Sequence, residues 1–159
     1  MRPRVGTLVG LLLASSLVGC ASHTERYCST LKDDRAQLQK LASSSDQAQG
    51  QVLQGSLAIF EDLQSKAPHD VAPDWDDFVF AWRSVVEAFD AAGTDPSRFT
   101  PDKKPAGMST GQFQAIKQAA AELGSQKVQA AAARIEDHAQ TVCKVSLGGP
   151  GLGPASGSM

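Results

Sequence analysis

The side chains of this 159-residue chain with chemistry to offer are three cysteines, three histidines and a knot of aspartates. A thiol can take an acyl chain, pair with a second thiol, bind a metal or attack a substrate. The last two uses find no support, since no CxxC occurs and no histidine stands at ligand spacing from Cys28 or Cys143. His23, His69 and His138 form no HExxH, no H-x-H and no Cys–His pairing. His138, beside Glu136 and Asp137, reads as a solvated or edge residue. The aspartates Asp70, Asp74, Asp76 and Asp77 have the clustering that hard cations want, but not the spacing, glycine or glutamate of an EF-hand. Their place at the start of a helix accounts for them, where carboxylates meet the positive end of the helix dipole. No GxSxG, P-loop, dinucleotide fingerprint or Ser-x-x-Lys is present. Neither catalysis nor a cofactor or metal is expected.

Cys20 has its own context. Two arginines, Arg2 and Arg4, precede an apolar run from Val5 to Leu17 broken only by small residues, the layout of a secretory signal peptide. The run is about 13 residues, short of the roughly 20 a membrane span needs. Its end, Leu17-Val18-Gly19-Cys20, resembles the bacterial lipobox at all four positions. That resemblance implies a diacylglycerol on the Cys20 sulfur and cleavage just before it. The mature protein would then begin at Cys20, held by acyl chains, palmitate among them, on the extracytoplasmic face of the cell membrane.

Removing residues 1–19 leaves 140 residues, enough for one domain, with 13 basic against 17 acidic side chains and a net charge near −4. So mild and mixed a charge does not suit nucleic acid or a polybasic membrane surface. With Cys20 assigned to lipid, Cys28 and Cys143 remain, and two cysteines in an exported chain most simply pair. A bridge across so long a loop is worth roughly 4.7 kcal/mol in the chain-entropy model.

The rest of the chain must position these groups, and its patterning is helical throughout. Residues 20–26 form a short tether, reaching about 25 Å at most. Tyr27, Leu31, Leu38 and Leu41 recur at helical spacing until Ser43-Ser44-Ser45. Asp46 and Gln49 have capping-box spacing before a second stripe of Val52/Leu53, Leu57, Phe60, Leu63 and Ala67, with Gly50 and Gly55 as interruptions and Pro68 as the stop. Trp75, Phe78/Val79, Trp82, Val85/Val86 and Phe89 make the most regular stripe, started near Pro73 and ended at Gly93. Thr94 to Met108 is a proline-rich linker. Ser109 and Gln112 form a capping box flanked by Met108 and Phe113 as a hydrophobic staple. A short helix at 110–123 then breaks at Gly124-Ser125, before a last helix from Val128 to Cys143. The fold class is all-α, an antiparallel four-helix bundle over residues 27–145. Cys28 and Cys143 meet at its membrane end, and the short helix lies across the far end. Residues 146–159, rich in Gly, Pro and Ser, are expected to be a disordered tail.

The stripe of Trp75, Phe78, Trp82 and Phe89 reads first as core, and second as the lining of an apolar ligand pocket. Phe80 lies off it, as a second buried face or an exposed contact. The whole of residues 20–145 resembles the small uncharacterised lipoproteins of actinobacteria. The resemblance rests on the lipobox, an early Cys28, Ala67-Pro68 followed by Asp74-Trp75, and a late Cys143 after an Ala/Ile/His-bearing helix. It implies the helical fold and the membrane location, and the function expected there is a structural, binding or accessory module with a cell-envelope protein as partner. The alternative is a small apolar-ligand carrier serving a transporter or sensor.

Overall fold

A computed structural model describes residues 22–42 and 49–148. The signal segment, the lipobox, Asp46 and the tail beyond Gly148 lie outside the described residues. Five helices follow in order: α1 (His23–Ala42), α2 (Gln49–Lys66), α3 (Ala72–Ala92), α4 (Thr110–Leu123) and α5 (Gln126–Thr141), with one 3₁₀ turn at Pro96–Arg98. Among the described residues the sole β contact is a single bridge, Thr100 to Lys103. The chain is all-α, as the patterning predicts.

The helix ends follow local chemistry. Helix α1 starts at His23, beside Thr24 where the sequence admits a helix start, because Ser22 and Glu25 form a reciprocal capping box. Pro73 sits in the first turn of α3, and Gly93 closes it in the left-handed region at φ 59°. Ser109 and Gln112 cap α4 reciprocally, and Met108 and Phe113 are both buried beside that cap. The Ser125 hydroxyl accepts from Val128 N–H to start α5.

Helix α3 is the centre, packed against α2, α4 and α5, while α1 lies on α2. The first three helices run antiparallel in turn. Leu41 of α1 rests on Gly55, where an added Cβ would stand 3.3 Å from its Cδ1. That glycine is therefore a close-approach site in α2, and the helix is intact through it. Between α2 and α3, Gln54 donates to Asp90 and Gln64 to Asp76.

The short helix α4 does not lie across the far end. Gln112 at its start donates to the Ala91 carbonyl near the end of α3, while Leu123 at its finish shares a cleft with Trp82 and Phe78. Helix α5 continues the same path, with Lys127 on Asp77 and Arg134 on Asp74. Together α4 and α5 make one antiparallel partner of α3, interrupted at Gly124-Ser125. Burial of Phe113 and Ile116 against the last turns of α3 is what draws α4 alongside.

After α5 the chain turns back. Val145 N–H reaches the Ala139 carbonyl across left-handed Lys144 (φ 57°), which folds the chain back on the end of α5. Packed chain extends to buried Leu147, two residues beyond the expected boundary at 145.

Candidate functional site

The densest chemistry gathers at the end where α1 begins, the turn at 67–71 joins α2 to α3, and α5 finishes. Cys28 and Cys143 are disulfide-bonded there, Cα to Cα 5.0 Å. Next to the bonded Cys28 in sequence, Tyr27 is fully buried between α3 and α5. Its hydroxyl accepts from the Trp75 indole N–H at 2.9 Å. Burial pushes the Tyr27 phenol up to about 12, the Trp75 hydrogen bond partly offsets this, and the Asp70 carboxylate adds to it. Tyr27 is thus a neutral phenol, packed edge-on to the His138 ring at 5.7 Å.

His138 is buried, contrary to its reading as a solvated or edge residue. Its Nε2 lies 3.3 Å from Asp70 Oδ2, in contact with the carboxylate, while Nδ1 has no partner among the described residues. A His–carboxylate pair can orient a base, yet among the described residues no hydroxyl or free thiol is hydrogen-bonded to it. What the pair does here is set one edge of a buried imidazole against the Asp70 carboxylate, leaving Nδ1 unpaired among the described residues.

The aspartate group also does more than start a helix. Val71, not an aspartate, occupies the N-cap of α3, with no side-chain cap. Each carboxylate instead faces a partner elsewhere: Asp70 His138, Asp74 Arg134, Asp76 Gln64, and Asp77 Lys127. They stitch α3 to α2 and α5. Asp74 is buried, and an unpaired carboxylate there would be costly, so the Arg134 guanidinium is the partner its position demands. Among the described residues no group of three His, Cys, Asp or Glu could hold a metal ion.

Glu136 is a further buried carboxylate with no counterpart in the sequence reading. It accepts from Leu147 N–H, the Ser146 hydroxyl and the Gln140 amide, and so clasps the segment after α5. A signal for these groups was present. Asp74 shares a helical stripe with Phe78, Ala81 and Val85, and His138 with Ala131 and Ile135, so each is a polar residue on an apolar face.

The aromatic stripe divides. Trp75 and Phe78 are fully buried, Trp82 is half-buried, and Phe89 belongs to a separate cluster with Phe99 and Phe113. Phe60 of α2 is the hub of the first group, with its centroid 5.1 Å from Phe78, 5.2 Å from Trp82 and 6.3 Å from Trp75. Trp82 and Phe78 form one side of a cleft of about 200 Å³ at the α4–α5 break, closed by Leu123, Val128 and Ala132. Phe89 is not part of it. Phe80 is exposed at 63 %, which excludes a second buried face. His23 and His69 are exposed. Searched against known proteins, the chain matches no family model, no curated protein and no solved structure.

Proposed function

We propose that the chain is an extracytoplasmic lipoprotein, held at the cell membrane by acyl chains on Cys20. Its helical domain then serves there as a structural, binding or accessory module for a cell-envelope protein. The observation that carries this reading is the Cys28–Cys143 bond. Disulfides persist in oxidising, extracytoplasmic compartments, and this one uses both cysteines that the lipobox leaves over. Export chemistry thus accounts for every thiol in the chain. The actinobacterial lipoproteins that the layout resembles agree with this arrangement.

A second reading, a small apolar-ligand carrier, draws on the cleft beside Trp82. Its volume, about 200 Å³, falls below the roughly 300–1,000 Å³ of most ligand sites, and the rest of the stripe is packed core. We therefore place it second.

Cys20 is the test. Intact mass of the membrane-extracted protein should correspond to a chain beginning at Cys20 and carrying diacylglycerol. Cys20→Ala should lose the modification and release or strand the protein. An unmodified mature N-terminus at any other residue would overturn the reading.

A further inference from the structure

The start of α1 fixes which face of the bundle can meet a membrane, and this argument rests on the lipid anchor proposed above. His23 is three residues past Cys20, a reach of about 10 Å at full extension. The start is not free to swing. Ser22 and Glu25 cap it, buried Tyr27 is locked between α3 and α5, and Cys28 is bonded to Cys143. The far end of α1, 20 residues along, is about 30 Å away. Acyl chains on Cys20 therefore bring the disulfide end to the bilayer and leave the α4 cap beyond reach.

Two postures satisfy that reach: the bundle standing on this end, or lying along α1. The outer face of α1 decides between them. Its exposed positions include Arg26, Ser29, Lys32, Asp33, Gln37, Gln39 and Lys40, with no apolar stripe to enter a lipid interface. The disulfide end does carry an apolar group. Val142 is 46 % exposed, one of two large hydrophobics that are exposed among the described residues. Exposed Arg26 and Lys144 flank this end, with alkyl stems that can lie in the headgroup layer while their charges reach phosphate. Exposed Glu25 and Asp70 offset them, so no anionic lipid is required.

We propose that the disulfide end docks on the phospholipid headgroup layer, with Val142 as its apolar contact and the bundle standing off the membrane. Phe80, the other exposed hydrophobic, and the Trp82 cleft then lie on the flanks, part-way up α3. There they are open to the aqueous side and to a protein partner.

The test uses the acylated full-length protein in phosphatidylcholine vesicles containing lipids spin-labelled near the headgroup. Val142→Trp and Phe80→Trp are compared with wild type, whose Trp75 and Trp82 give the background emission. Docking predicts that the added tryptophan is quenched several-fold more strongly at 142 than at 80. As a readout without substitution, amine labelling of Lys144 should fall several-fold on vesicles relative to an unacylated chain beginning at Ala21, with Lys103 unchanged. Protein that floats with vesicles yet shows no quenching at 142 and no protection of Lys144 overturns this inference and leaves the anchor standing. Stronger quenching at 80 overturns it in favour of a flank. Failure to float at all removes the anchor, and the inference with it.

Discussion

At one end of α3, Trp75 is fully buried, gives its N–H to Tyr27 and lies among residues tied by a disulfide and by carboxylates from three elements. At the other end, Phe89 is half-buried and meets Phe99 and Phe113 in a small cluster completed by Met108 and Ile116. The first end joins residues 115 apart in sequence covalently and spends buried polar groups on specific long-range partners. The second is held by helix caps, a few rings and the carboxylate of Asp95, which accepts from Ser97 and from Gly50 N–H at the start of α2. Few buried contacts and many local hydrogen bonds mark a region that opens at low free-energy cost. The same helix is thus over-determined at its N-terminal end and lightly held at its C-terminal end.

The largest test of this contrast is Cys143→Ser. It should cost roughly 2–5 kcal/mol, read as a lowered urea midpoint in non-reducing buffer. Hydrogen exchange should speed up first at Tyr27, Leu31 and Ile135. If Phe113 and Ile116 lost protection to the same extent, the two ends would be one cooperative unit and the contrast would fail.

A smaller effect comes from comparing the two capping boxes. Ser109→Ala removes the acceptor at the α4 start, which no covalent cross-link backs, and should cost about 1 kcal/mol. Ser22→Ala removes the same kind of bond one turn from Tyr27 and Cys28, which keep α1 in place, and should cost less. Equal losses in melting temperature would show that the disulfide does not shield its own end.

The smallest effect has opposite signs at the two ends. Hydrogen bonds from the Ser97 hydroxyl and N–H hold the Asp95 carboxyl below its ordinary range. A lowered folded-state value means stability present above the unfolded value and lost as pH falls through the folded one. Asp34, between α1 and α2 in the disulfide half, is shifted upward, first by burial and then by Asp62. Its charge costs stability at neutral pH, and that cost disappears as pH falls through its raised folded value towards the ordinary one. On acidification, amide protection along the α1–α2 seam should therefore rise before protection at Gly50 and Ser97 declines. Asp34→Asn should abolish the rise, and its persistence in that variant would assign it to another group.

Much of the fold was legible because it is local. Ser109 with Gln112, Pro73, Gly93 and the 3–4 recurrence of Trp75, Phe78 and Trp82 each act within a few residues, and those helices stand where expected. The Cys28–Cys143 pairing was legible because setting Cys20 aside, as the lipobox resemblance implies, leaves two thiols and one arrangement. What could not be read is set across the fold. The route of α4 depends on which rings its apolar face meets after a 15-residue linker, and Asp95 serves α2 from 45 residues away. The candidate site was least legible of all. The roles of Asp74, His138 and Glu136 lie in partners that only the packed helices bring near, although their places on apolar stripes marked them as out of pattern.

The disulfide also sets a load path. A pull between Cys20 and the C-terminal tail enters the fold at Cys28 and leaves it at Cys143, through covalent bonds alone. The helices between those two cysteines form a side loop that bears no tension. Only the first turn of α1 and the segment clasped by Glu136 stand in series with the force. Of the core cluster, Tyr27, Val145 and Leu147 alone lie outside the loop, so a pull on the two ends reaches those three and bypasses the rest.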